Sequence, residues 1–374
     1  MTDTEHEPKD PSLRRLVMQD LRHSDLRRTL GQDFRELYMF YLDDARRERL
    51  AGMGRVKRTI WMLGWLFKGL LLKLSPTRRL MLVAALLSWF FLQEWTFAGE
   101  TSTLTLNFRF VAFVLVLIVL MLELKDKLLA HDEIQAARQV QLELLPRQDP
   151  RPDGWELWSF MKPANHVGGD LVDYVDLGSG RLGITLGDVA GKGLGAALLM
   201  AKLQATLRAL APTCGTLAEL GRDLNLILHR DGLPNRFATL FYLEVQQGSG
   251  TARYLNAGHN PIYLLRGGGG RAEKLEASGL PLGMLEPATY EEGRIELSPG
   301  DLIVAYSDGL TEAENADGKE FGNGRLEALL GRLAGRSSEA AGGLIIEEVT
   351  RFMGERKPMD DLSLVLARRT DGRG

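Results

Sequence analysis

The chain has 374 residues, 45% hydrophobic and 25% charged, with a net charge of −3, 41 glycines, 14 prolines and one cysteine. That length and composition suit about two folded domains and exclude collagen-like and globally disordered readings. A lone Cys214 and six scattered histidines exclude a disulfide framework and a Cys/His zinc module, and the near-neutral charge gives no sign of a dedicated nucleic-acid binder.

Residues 1–79 read as a basic cytoplasmic or interfacial helical region. Ten Lys and Arg residues face the single Glu48 between Arg46 and Arg79, with the apolar block Ile60–Phe67 among them. Cationic charge beside Trp, Phe and Leu is the composition of a helix lying on an anionic membrane face; an amphipathic core helix with a solvated basic side is the plainer alternative. Two apolar segments follow, Leu80–Phe97 and Leu104–Leu122, each close to the ~20 residues that cross a bilayer. Glu94 and Arg109 interrupt them at the same end, and the connecting Ala98–Asn107 lacks Lys and Arg, whereas basic residues flank both outer sides. The positive-inside rule then predicts a two-helix transmembrane hairpin over 80–122. It implies a two-pass location in the cell membrane with the catalytic domain in the cytoplasm; a soluble helical dimerisation domain is the alternative.

Strong helix formers fill residues 123–146, and Pro146 ends the helix. Leu124, Leu128, Leu142 and Leu145 fit a heptad frame whose other seam positions are polar. The segment reads equally as a plain linker and as a signalling helix that pairs a homodimer. A second domain is expected over 147–370, opened by the turn residues Pro150–Gly154. Strands are predicted at Trp155–Met161, Gly183–Val189, Ala238–Val245, Ala252–Asn256, Ile262–Arg266, Leu302–Tyr306 and Leu362–Ala367, and helices at Gly195–Leu210, Thr216–His229, Arg325–Ala334 and Ser338–Phe352. Strands arrive in runs rather than in βαβ alternation, which predicts an antiparallel α+β layered domain.

Four acidic spots recur where a strand meets a tight turn: Gly168-Gly169-Asp170, Gly187-Asp188-Val189, Ser307-Asp308-Gly309 and Asp360-Asp361-Leu362-Ser363. One such spot is an ordinary Asp-Gly turn. Four of them, with almost no Cys or His nearby, point to Mg²⁺ or Mn²⁺ held by oxygen ligands.

The stretches IQAARQVQLELLP, PANHVGGDLVDYVD, LGITLGDVAGKGLGAALLMA, FATLFY, YLNAGHNP, GLPLG, LSPGDLIVAYSDGLTEAEN, FG and DDLSLV follow one another over residues 134–368. In this order they closely resemble the metal-dependent PPM protein phosphatases, in the bacterial branch typified by the stage II sporulation phosphatase. The resemblance implies a β-sandwich flanked by helices with two Mn²⁺ or Mg²⁺ ions at one end. Carried over by position, Asp188 looks like the carboxylate bridging both ions, with the Val189 carbonyl as a further ligand. Asp308 and Asp360 look like ligands of the first ion, and Asp170 like the outer ligand of the second, through water. Asp173 belongs to the motif with a structural reading open. Successive strand residues face opposite ways, so of Asp360 and Asp361 one faces the metals, and Asp360 is preferred.

The resemblance further implies a metal-activated water attacking a phosphoserine or phosphothreonine, with Asp170 or Asp308 orienting it, so that Asp188, Asp170 and Asp308 form the catalytic set. The implied substrate is a phosphorylated anti-sigma-factor antagonist of the STAS type; a catalytically silent PPM-fold interaction module is the alternative. Lys192 reads either as a phosphate contact or as a solvated loop lysine, and His259 as a structural hydrogen-bonding residue. Gly187–Gly193 is one residue short of a nucleotide-binding loop and has Gly193 where Ser or Thr is required. The diguanylate cyclase signature fails likewise at Leu171-Val172.

Overall fold

The computed structural model describes residues 49–50, 53–91, 94–98, 103–232, 236–269 and 272–372, so the expectations placed on residues 1–48 lie outside it. The chain divides into two compact units, residues 1–128 and 129–374.

The first unit contains α1 (Arg55–Lys73), α2 (Pro76–Phe91), the antiparallel strands β1 (Glu94–Ala98) and β2 (Thr103–Asn107), and the start of α3 (Phe108–Leu144). Pro76 opens α2, where its missing N–H costs nothing. Arg79 donates to the carbonyls of Leu71 and Leu74, which the end of α1 leaves without helical partners. Arg78 ties α2 to α3 through Glu123 and Asp126, at 2.8 and 2.6 Å.

The transmembrane hairpin expected over 80–122 requires correction. At 1.5 Å per residue the 16 residues of α2 reach ~24 Å, short of a hydrocarbon core of ~30 Å. The chain then runs as β1 and β2 rather than as helix, with Glu94 opposite Asn107, and Arg109 lies 5.9 Å from the Trp89 ring. The uncharged run of α3 extends only from Phe110 to Leu122 before Glu123, Lys125 and Asp126. Among the described residues no helix is long and apolar enough to cross a membrane.

The second unit is the α+β sandwich. One sheet has the order β10-β7-β6-β5-β4, from β4 (Leu171–Gly178), β5 (Arg181–Val189), β6 (Ala238–Gln246), β7 (Thr251–Ala257) and β10 (Gly293–Glu296). The other has the order β3-β12-β11-β8-β9, from β3 (Trp155–Lys162), β8 (Ile262–Leu265), β9 (Glu273–Leu275), β11 (Leu302–Tyr306) and β12 (Leu362–Arg369). All their pairings are antiparallel. Helices α4 (Leu194–Leu210) and α5 (Leu217–Asp231) cover the first sheet, and α7 (Gly322–Leu330) and α8 (Ser338–Met353) cover the second, after the single turn α6 (Asp308–Thr311).

Period-two alternation builds these layers. Phe241, Leu243 and Val245 of β6 point between the sheets with Ile303, Ala305, Val365 and Ala367. Leu240 and Tyr242 turn to Leu203, Leu220 and Leu224 of the covering helices, as Val304, Leu364 and Leu366 turn to Leu326, Ile345 and Val349. Each central strand is therefore apolar on both faces, which makes it legible as a continuous hydrophobic run.

Pattern reading misses three strands of the sandwich, the short β9 and β10 and the longer β4, whose apolar residues Asp173 and Asp176 interrupt. Asp173 is fully buried and accepts both guanidinium hydrogen bonds of Arg208 from α4, at 2.6 and 2.7 Å. That bidentate pair is the structural reading of Asp173.

Candidate active site

Antiparallel pairing places the acidic turns together. Leu171 at the start of β4 pairs with Gly187 near the end of β5, so Asp170 and Asp188 fall at one edge of the first sheet. Tyr306 at the end of β11 pairs with Leu364 near the start of β12, so Asp308 and Asp360 fall at one edge of the second. Both edges meet at the same end of the sandwich.

Electrostatics show the proximity. Asp188 is pushed up to about 7 by burial, then by the negative charges of Asp308 and Asp360, while also contacting Asp170. Asp170 is raised well above the carboxylate range by burial and by Asp188. Asp308 is raised by burial and by Asp360. Asp188 thus lies within electrostatic reach of Asp170, Asp308 and Asp360. Carboxylates crowded until they raise one another's pKa stand in want of cations.

Asp361 takes a different part. Its Oδ1 accepts the Ala164 N–H at 2.8 Å, and its Oδ2 accepts those of Gly169 at 2.6 Å and Asp170 at 3.4 Å. The side chain anchors the loop that carries Asp170, whereas Asp360 meets Lys192, whose Nζ lies 2.9 Å from its Oδ2 and donates to the Met359 carbonyl at 2.7 Å. Lys192 is thus an exposed loop lysine that pairs with Asp360.

Glycines give the cluster its room. A Cβ on Gly168 would lie 2.3 Å from Asp361 Oδ2, and one on Gly169 would lie 3.0 Å from the Val189 carbonyl oxygen and 3.7 Å from Asp188 Oδ1. A Cβ on Gly309 would lie 2.2 Å from the Asp361 carbonyl oxygen, a contact with backbone that no rotamer relieves. Gly309→Ala is expected to cost about 1–3 kcal/mol by overpacking, read as a lower midpoint in urea; an unchanged midpoint would show that the turn yields.

His259 joins the two sheets behind the carboxylates. Its Nε2 lies 3.1 Å from the Tyr306 carbonyl and its Nδ1 2.7 Å from Thr239 Oγ1, on the residue paired with Asp188. A carbonyl only accepts, so Nε2 carries the proton and donates, and Nδ1 accepts the Thr239 hydroxyl. Burial pushes its pKa down to about 4, so the imidazole is neutral near pH 7. The sequence reading of His259 as a hydrogen-bonding residue agrees with this geometry, and its partners were not legible in the sequence.

The donor set fits hard divalent cations. Every candidate ligand is oxygen, the buried Asp170 Oδ2 lacks a hydrogen-bond partner, and glycine keeps the space beside the Val189 carbonyl open. Among the described residues no three His, Cys, Asp or Glu side chains converge tightly enough to hold one ion by themselves. A binuclear set that shares one carboxylate and adds a carbonyl and waters does not require such a cage.

A model of the family described as stage II sporulation protein E (SpoIIE) matches residues 178–370, more than half of the chain. The chain belongs to the SpoIIE family. The match spans Asp188, Asp308 and Asp360, and Asp170 lies just before its start. This SpoIIE-family chain is 30% identical over 221 residues to Protein IcfG of Synechocystis, covering 52% of the chain and 35% of the relative. It is 30% identical over 186 residues to the phosphoserine phosphatase RsbU of Bacillus subtilis, covering 50% of the chain and 55% of the relative. The chain thus spans between about a third and about half of the lengths of these relatives. The SiaA PP2C domain of Pseudomonas aeruginosa superposes with a TM-score of 0.56 at 21% identity, over 66% of this chain and 99% of that domain. The RsbU and RsbW domains of a Mycobacterium tuberculosis protein superpose with a TM-score of 0.53 at 25% identity, over 60% and 62% of the two chains. These likenesses agree with the PP2C-like sandwich.

Proposed function

We propose that this chain is a metal-dependent protein serine/threonine phosphatase. The observation that carries the reading is the convergence of Asp170, Asp188, Asp308 and Asp360 at one end of the sandwich, with Asp361 turned to the loop instead. The names of the relatives RsbU and RsbP, both phosphoserine phosphatases of Bacillus subtilis, support it.

Asp188 would hold two Mn²⁺ or Mg²⁺ ions together with the Val189 carbonyl, Asp308 and Asp360 would hold the first, and Asp170 the second through water. When bound, such ions supply an acidified water and neutralise charge on the transferring phosphoryl group. The chain's own task is positioning. Asp361 fixes the Asp170 loop, His259 ties the Asp188 strand pair to the strand leading into Asp308, and Asp170 or Asp308 orients the attacking water. No protein nucleophile is needed.

The narrower part of the proposal is the substrate, a phosphoserine or phosphothreonine on a STAS-type anti-sigma-factor antagonist in a partner-switching pathway. The full chain with Mn²⁺ is expected to release phosphate from p-nitrophenyl phosphate and from a phosphorylated STAS protein, and to stop with EDTA. Turnover of the small substrate alone would remove the STAS assignment. Metal-replete protein inert on both would make the chain a silent interaction module.

A further inference from the structure

We propose that Lys192 is a placeholder for a divalent cation at Asp360, and that loading of the metal centre moves its ammonium from that carboxylate to the substrate phosphate. The proposal rests on the reading of Asp360 as a metal ligand.

Lys192 Nζ is held by two oxygens, Asp360 Oδ2 at 2.9 Å and the Met359 carbonyl at 2.7 Å. Anionic and carbonyl oxygens at one point are the partners a hard cation seeks, and here an ammonium has them. Among the described residues no other Lys or Arg forms an ion pair with Asp170, Asp188, Asp308 or Asp360. Lys192 is therefore the counter-charge of an otherwise anionic cluster.

The bond is built to be exchanged. The Lys192 and Asp360 side chains are 53% and 37% exposed, and a pair this wet contributes at most about 1 kcal/mol. Gly191 and Gly193, at φ of 106° and 76°, turn the loop on either side of Lys192 in a backbone region that other residues avoid. Lys192 also forms part of the wall of an open groove of about 410 Å³, beside His166, Val167 and Leu194. Its four-carbon stem consequently has space into which to swing.

Charge dictates the direction of the swing. Four aspartates and two divalent ions balance without help, so the ammonium becomes surplus at Asp360 once both ions are bound. A phosphate monoester arriving at the same rim then offers it the nearest new negative charge.

The test is Mn²⁺ titration of the full chain by calorimetry and by electron paramagnetic resonance, comparing wild type with Lys192→Met. Removal of the competing ammonium is expected to tighten Mn²⁺ binding about fivefold, the equivalent of a half-exposed ion pair, and to raise KM for p-nitrophenyl phosphate in metal-saturated protein. Unchanged or weaker Mn²⁺ binding in Lys192→Met, with wild type binding normally, overturns the placeholder and leaves the metal centre standing. Wild-type protein that binds no Mn²⁺, or binding that survives Asp188→Asn combined with Asp360→Asn, overturns both.

Discussion

Asp188→Asn is expected to abolish Mn²⁺-dependent phosphate release while making the metal-free protein more stable above neutral pH. A bridging ligand supports several kcal/mol of transition-state stabilisation, and at 1.36 kcal/mol per decade its loss lowers kcat by about a thousandfold or more. The stability effect has the opposite sign. In the fold Asp188 titrates at about 7, held up by burial and by Asp308 and Asp360, whereas in the unfolded chain it titrates near the ordinary carboxylate value of about 4. Between these values the folded protein keeps a proton that the unfolded chain has released, so the Asp188 contribution to stability falls as pH rises from about 4 to about 7 and is level above. His259, pushed down to about 4, acts in the other direction between about 4 and 6.5, which is why the comparison is wild type against Asp188→Asn rather than one protein against pH. In EDTA the melting temperature of the variant should exceed that of wild type by a margin that widens from pH 5 to pH 8. A constant margin would mean that Asp188 is not crowded, and retained turnover would remove it from the metal centre.

The neighbouring aspartates should separate cleanly. Asp361→Ala leaves the N–H groups of Ala164, Gly169 and Asp170 without their acceptor in a buried turn. The expected cost is about 3 kcal/mol, roughly 6–12 °C in melting temperature for a unit of this size, with activity lost because the Asp170 loop is released. Asp360→Ala removes a half-exposed pair with Lys192 and the 2.9 Å acceptor of the Asp361 N–H, fewer and wetter contacts than Asp361 makes, so it should melt closer to wild type than Asp361→Ala while losing Mn²⁺-dependent activity. Equal melting temperatures for the two variants would contradict the division of labour.

That division was half legible. Adjacent residues entering a strand face opposite ways, so the sequence could say that Asp360 and Asp361 differ, but not what Asp361 reaches. Its partners lie some 190 residues earlier in the chain. A shorter separation, 35 residues, hid the account of β4 in the same way. Asp173 breaks an apolar pattern, and only Arg208 arriving from α4 makes its burial affordable to the fold. The N-terminal segments failed for another reason. Apolar composition and flanking charge are shared by membrane spans and by helices that are too short or charged too early to span, and the length of the uncharged helical run decides between the two.

By itself the sequence determined the α+β class, the main strands and helices, and the four acidic turns, because these depend on short-range periodicity and on turn residues adjacent in the chain. The tertiary structure alone decided that the four turns meet at one end of the sandwich, that Asp361 anchors while Asp360 pairs with Lys192, and that His259 is neutral with its proton on Nε2. Each of those facts is a distance between residues far apart in the chain. Such distances are fixed by strand pairing and sheet packing, which no local pattern contains.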